Sequence, residues 1–209
     1  MITPDFEAMY AADPDPWRVG SSFYETRKRE LVLAALGRPT YAAAWDPSCG
    51  TGHLVHRLAA RCRTVLATDA SPAAVELTSA SCAGLDNVTV RRVAVPTDPG
   101  EHPVAGFDLV VIAEFLYYLD PAGRAATLGL IHELAAAGAE VVAVHWRHQP
   151  HDGWRSGAEV QQEVLTTLGS LGWEPAVHVD DPDFVLDTMR RPGFADLGTE
   201  LGSVGRHDG

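Results

Sequence analysis

The run Trp45-Asp46-Pro47-Ser48-Cys49-Gly50-Thr51-Gly52 constrains this chain more than any other stretch. It closes an apolar segment over 41–45 that reads as a strand, and it opens a helical pattern over 52–60. Glycines let the backbone turn tightly and expose its N–H groups to a ligand. The next apolar segment, over 64–68, ends in Asp69, and an acid at the end of a second strand can take both hydroxyls of a ribose. Strand, glycine turn, helix, strand and acid in that order predict a nucleoside-containing ligand at the carboxyl edge of a parallel sheet.

The rest of the chain continues the alternation. Residues 1–20 are rich in Asp and Pro and read as a loop anchored by Trp17, followed by a helix over 22–36 with Phe23, Leu31, Val32, Ala35 and Leu36 as its apolar stripe. Behind the glycine turn, Leu54, Leu58 and Ala59 are the expected inward positions. Ser71 and Pro72 suit the N-cap and first turn of a helix reaching about 83. A third strand is expected over 88–93 and a loop over 95–106. The fourth strand, over 107–112, is nearly all apolar, as for a strand buried on both faces. Asp120-Pro121 opens a helix expected to run to about 137 and to stop at Gly138, before a fifth strand over 140–144. A helix within 157–171 precedes two strands, over 173–179 and 184–189, too close for a crossover helix and therefore antiparallel to each other. The pattern is a three-layer α/β sandwich with a mostly parallel sheet. It divides into a cover segment over 1–40, a core over 41–192 and a polar, Gly-rich tail over 193–209.

With 209 residues and a hydrophobic fraction of 46%, the chain suits one domain with a substantial core. A formal net charge of -12 argues against a nucleic-acid or anionic-membrane surface. Cys49, Cys62 and Cys82 form no CxxC pair, so a disulfide framework or structural zinc site is not expected, and a reduced, cytoplasmic protein is. The N-terminus lacks the basic start and apolar core of a signal peptide, and no apolar run is long enough to cross a bilayer. The histidines form no compact ligand cluster with carboxylates at a familiar spacing, so no metal is expected, and a homo-oligomer stays open.

The chemistry of the turn narrows the ligand. A pyrophosphate loop usually carries three spaced glycines. Here Gly50 and Gly52 stand alone, and Asp46 before them would repel a pyrophosphate. A cationic cofactor fits better, with Asp46 either orienting an ammonium group or accepting N–H bonds within the turn. Asp69 is then the ribose ligand, and Ala70 lies near the base. A nicotinamide-dependent oxidoreductase and a non-catalytic nucleoside-binding protein on the same fold remain the alternatives.

Several separated motifs agree in order with one family. Asp13-Pro14-Asp15-Pro16-Trp17, Phe23-Tyr24-Glu25-Thr26-Arg27-Lys28, the turn at 46–52, the run from Phe107 through Glu114 to Leu119, His145-Trp146-Arg147-His148 and Gly157-Ala158-Glu159-Val160 resemble the class I S-adenosylmethionine-dependent methyltransferases of the nodulation protein S (NodS)-like family. The resemblance implies a seven-stranded sheet with its last strand antiparallel to the others. It implies S-adenosyl-L-methionine as methyl donor, S-adenosyl-L-homocysteine as product and a small-molecule acceptor, since the family methylates an amine on a chitooligosaccharide-derived acceptor. Trp17, Tyr24 and Arg27 would belong to a segment closing over the donor, with Arg27 pairing the methionine carboxylate. Two positions depart from the class pattern. Ser48 replaces the first glycine of the loop, and Val95 stands where an acid often reaches the adenine amine, with Asp98 as a weaker substitute.

Acceptor-side candidates follow the fourth and fifth strands. Glu114 ends an apolar run, where it either forms a structural ion pair or orients cofactor or acceptor. Tyr117 is favoured over Tyr118 as a pocket residue. His145 closes the fifth strand and is the candidate general base, because its unperturbed pKa lies near neutrality. A buried, hydrogen-bonded histidine without chemistry is the competing reading. Residues 145–156 read as a loop facing the acceptor.

Overall fold

A computed structural model describes residues 4–96 and 105–195. Asp98 and the tail from 196 onward lie outside them. Seven strands form one sheet in the order β3-β2-β1-β4-β5-β7-β6. These are β1 (Tyr41–Asp46), β2 (Cys62–Asp69), β3 (Val88–Arg92), β4 (Phe107–Ala113), β5 (Ala135–Trp146), β6 (Glu174–Asp180) and β7 (Phe184–Arg190). Pairings among β1 to β5 are parallel, while β7 runs antiparallel to both neighbours, β5 and β6. The order reverses direction between β1 and β4, the kind of switch point where open α/β sheets bind ligands beyond the strand ends. Asp46, Asp69, Glu114 and His145 stand at or just beyond the carboxyl ends of β1, β2, β4 and β5.

Two apolar layers flank the sheet. On one face pack α2 (Phe23–Ala35) and α3 (His53–Leu58), with Val32, Leu33, Val55 and Leu58 against Val65, Leu109 and Val142. On the other pack α5 (Pro121–Leu134) and α6 (Gly157–Ser170), with Leu128, Ile131, Val160, Val164 and Leu168 against Val110, Ile112 and Val141. The helix starts follow their sequence signals. Ser71 caps α4 (Pro72–Ser81), accepting from the Ala74 N–H at 3.2 Å, and Asp120 caps α5, accepting from Gly123 at 2.7 Å.

Three expectations need correction. The segment over 1–20 is not all loop: Asp5 accepts from the Ala8 N–H at 3.0 Å and caps a short helix, α1 (Phe6–Ala12). α5 stops at Leu134, not near 137. The Ala-rich run after it pairs with β4, Phe107 opposite Ala135, and Gly138 (φ 69) sits inside β5 at a register shift. Sheet pairing overrides the helical propensity of alanine there, and glycine absorbs the bulge. Around α3, Leu58 and Ala59 are buried as expected, while Leu54 is only half-buried and Val55, which was not expected, is fully buried. Gly52 adopts the left-handed conformation at the N-cap, so the helix begins after it, at His53.

Candidate active site

The candidate donor side is built from two carboxylates and a left-handed turn. Gly50 (φ 54) and Gly52 (φ 77) both occupy the region that favours glycine. The Gly50 N–H donates to Asp69 Oδ2 at 3.0 Å, and the Ser71 N–H donates to Asp69 Oδ1 at 3.0 Å. Asp69 is thus fixed between the turn and the start of α4. Asp46 is 2% exposed and accepts only from the Ser48 N–H, at 3.2 Å, among its described contacts. Burial, with Asp69 nearby, pushes its carboxyl up to about 7. Burial also raises Asp69, against the pull of its backbone donors. No ion pair neutralises either acid among the described residues. Two buried, uncompensated carboxylates beside an open-conformation turn fit a cationic, hydroxyl-bearing donor. Cys49 is buried and its thiol is pushed up by burial and by Asp46 and Asp69, which leaves it inert. Ala70 is exposed beside the turn, and Val95 packs half-buried against the second core layer.

Helix α1 closes over this turn, and the sequence reading missed it. Glu7 Oε2 accepts from the Ser71 hydroxyl at 2.6 Å and the Ala73 N–H at 3.0 Å, at the N-terminus of α4. A Cβ on Gly50 would stand 3.1 Å from the Tyr10 hydroxyl. Trp17 meets Tyr10 edge-on at 5.5 Å, and Phe6 meets Tyr118 edge-on at 5.0 Å. The signals were present in the sequence: an Asp5 cap and Phe6 and Tyr10 four residues apart.

The candidate acceptor side centres on Glu114. It adopts φ 60, an uncommon conformation for a side-chain-bearing residue, costing about 1–3 kcal/mol. Three donors hold its carboxylate: Lys28 Nζ on Oε1, and the Tyr117 hydroxyl and the Trp146 N–H, each at 2.7 Å, on Oε2. Burial would raise its pKa, but the charge and hydrogen bond of Lys28, with the Trp146 N–H, outweigh burial and hold it lowered and ionised. Lys28 is 5% exposed, also bonds Glu25 Oε1 at 2.8 Å, and lies 4.6 Å over the Tyr24 ring. Burial works against its charge, yet Glu114 and Glu25 leave it raised and protonated.

Tyr117 lies in a single 3-10 turn, Leu116–Tyr118, and meets the His145 ring at 5.5 Å. His145 has no exposed surface. Its Nδ1 bonds Gln161 Oε1 at 2.8 Å, and burial lowers its pKa despite Glu114, keeping the ring neutral. Its Nε2 and the Tyr24 hydroxyl are buried without hydrogen-bond partners among the described residues.

The structure therefore gathers Tyr24, Glu114, Tyr117 and His145. Arg27 does not join them: it is 44% exposed at its side chain and pairs with Asp181 at 2.6 Å. The buried cation of the cover is its neighbour Lys28, which lies one turn before Val32 on the inward stripe of α2. That spacing was the available signal.

Comparison with known proteins agrees with this architecture. A methyltransferase-domain family model matches residues 45–141, the span from the glycine turn to β5. Nodulation protein S of Rhizobium tropici is 30% identical over 162 residues, covering 76% of this chain and 66% of the relative. The chain thus spans somewhat under two thirds of that relative's length, and 59% of the Sinorhizobium fredii protein's. The crystal structure of a Pseudomonas syringae protein assigned as a methyltransferase is 32% identical, covers 81% of this chain and 100% of its own, and superposes with a TM-score of 0.69. The N-methyltransferase NodS of Bradyrhizobium japonicum WM9, bound to S-adenosyl-L-homocysteine, gives 0.77 at 20% identity, covering 91% and 98%. The chain belongs to the class I S-adenosylmethionine-dependent methyltransferases, in their NodS-like family. Nothing in these matches favours the nicotinamide-dependent or non-catalytic alternatives.

Proposed function

We propose that this chain transfers the methyl group of S-adenosyl-L-methionine to an amine of a small-molecule acceptor, an amino sugar being one candidate. The observation that carries this is Glu114. It is an ionised carboxylate with a quarter of its side chain exposed, held in a strained conformation at the sheet edge. An anion fixed there attracts and orients an amine. The name of the Bradyrhizobium relative, an N-methyltransferase, agrees with that choice.

When bound, the donor supplies a methyl group already activated on a sulfonium sulfur. In this reading Asp69 takes the ribose, Ala70 and Val95 flank the base, and the turn at Ser48, Cys49, Gly50 and Gly52 approaches the donor closely. Asp46 faces its positive charge. Trp17 and Tyr24 cover the site and exclude water. Arg27 retains a place in the cover through Asp181. Glu114 and Tyr117 orient the acceptor, which is most of what an activated methyl requires. His145, neutral and holding an unpartnered nitrogen, receives the acceptor's proton.

A panel of amino sugars and small amines, incubated with donor and read by mass spectrometry for the gain of one methylene, tests this. Methylation confined to hydroxyl compounds, or absent from the whole panel, defeats the amine reading.

A further inference from the structure

Gln161 settles which nitrogen of His145 carries the hydrogen. Its amide nitrogen donates to the Ala143 carbonyl at 3.1 Å and to Asp187 Oδ2 at 2.8 Å. A backbone carbonyl has no proton to give, so the NH₂ end of Gln161 must face it. The other end, Oε1, meets His145 Nδ1 at 2.8 Å. An amide oxygen only accepts, so Nδ1 carries the hydrogen, and in the neutral ring Nε2 is a bare lone pair. That Nε2 is buried with no partner among the described residues. Native structures rarely leave a buried acceptor unpaired without a reason, and catalysis is one.

The arrangement extends across three elements. Gln161 comes from α6 and is 3% exposed; Asp187 comes from β7 and is also 3% exposed. Asp187 divides its oxygens, Oδ2 to Gln161 and Oδ1 to His178 Nδ1 at 2.7 Å. On the other side of the imidazole lie Tyr117, and electrostatically Glu114 and Lys28.

We propose that Gln161, held by Asp187, is a positioning residue that locks His145 in the Nδ1–H form, so that Nε2 takes the proton an ammonium acceptor must lose. The inference rests on the amine-methylation reading. The acceptor's N–H bond breaks, its proton forms a bond to Nε2, and the electron pair stays on the amine nitrogen. That pair forms the new N–C bond as the C–S bond breaks with its electrons going to sulfur. The imidazolium then returns its proton to solvent. Because Tyr117 packs on the ring, the turn carrying it must yield for the acceptor to reach Nε2.

Nitrogen NMR of the protein bound to S-adenosyl-L-homocysteine reads the tautomer without turnover. The expected result is a protonated Nδ1 and an unprotonated Nε2. Gln161→Leu should mix the tautomers and lower kcat tenfold or more on the amine that the panel identifies, with donor affinity within twofold. Gln161→Glu should restore both, one oxygen accepting from Nδ1–H and the other, protonated, facing Asp187. A structural role alone would lower stability in Gln161→Leu and leave kcat of the folded protein unchanged; that result overturns the proposal. A panel without any methylated amine overturns the reaction the relay serves. A protonated Nε2 in the wild type overturns the relay itself, whatever the panel shows.

Discussion

Lys28 on α2 donates to Glu114 beyond β4, so the cover helix is tied by a largely buried ion pair to the sheet edge proposed to receive the acceptor. Glu25 and the Tyr24 ring complete the surroundings of the ammonium. Removing one member of a buried pair leaves the other charge uncompensated, at about 3–5 kcal/mol when both are fully buried. Glu114 keeps 26% of its side-chain surface, so Lys28→Met is expected to cost less, about 2 kcal/mol. Urea unfolding measures it. The Lys28→Met, Glu114→Gln double variant should be less destabilised than the sum of the singles, and strict additivity would show that the pair contributes nothing.

Glu114→Gln also tests the carboxylate's charge in turnover. The amide preserves volume and still accepts from Tyr117 and the Trp146 N–H. Loss of the negative charge should lower kcat about 100-fold, the size of effect seen when one preorganised electrostatic partner is removed. Donor affinity, measured by calorimetry, should change less than about threefold. Equal losses in kcat and donor affinity would place Glu114 on the donor side instead.

Asp46 predicts a pH dependence of its own. Its folded-state carboxyl is raised by burial from 3.8 to about 7. The folded chain therefore holds a proton that the unfolded chain has released, over a window of about pH 4–7. Stability from this group is present below that window and is lost as pH rises through it. Asp46→Asn should remove that part of the slope and leave the variant relatively more stable near neutrality. A cationic donor favours the ionised form, so donor binding should expel a proton below about pH 7 and tighten as pH rises. Calorimetry in buffers of differing ionisation enthalpy counts that proton; a dissociation constant flat from about pH 5 to 8 would contradict the assignment.

How much of this was legible in the sequence follows from which forces act locally. The donor side was readable, because strand-turn-helix punctuation and the acids Asp46 and Asp69 lie within two consecutive units. Glu114 and His145 were readable as positions, because strand ends mark the sheet edge. Their partners were not. Gln161 reaches His145 across 16 positions, Lys28 reaches Glu114 across 86, and only the folded sheet brings them together. Between Arg27 and Lys28, helix phase decides: Lys28 falls on the stripe with Val32 and Ala35, while Arg27 turns outward to Asp181. The start of β5 was misplaced because alanine's local preference for helix loses to pairing with β4.

That same phase yields a prediction for the cover. Arg27 is 44% exposed at its side chain and sits 5.5 Å over the Phe184 ring as well as pairing with Asp181. An exposed ion pair contributes about 0–1 kcal/mol. Arg27→Ala should therefore leave donor affinity within about twofold and stability within about 1 kcal/mol. A loss of donor affinity of tenfold or more would mean that Arg27 leaves Asp181 and reaches the donor in the bound state.

Gly52→Ala tests whether the turn is set by packing as well as by ligand approach. Gly52 has φ 77, where a Cβ is strained, and that Cβ would stand 2.9 Å from the Thr78 Cα on α4. Backbone cannot swing aside as a side chain can, so α3 and α4 would have to separate. The Thr78 hydroxyl bonds the Gly50 carbonyl at 2.8 Å, so that separation would also pull on the turn. Left-handed strain alone costs about 1–2 kcal/mol, and the clash adds to it. The variant should lose about 2–4 kcal/mol by urea unfolding and bind donor at least tenfold more weakly. Wild-type stability with weakened donor binding would show that only the ligand, and not Thr78, requires glycine there.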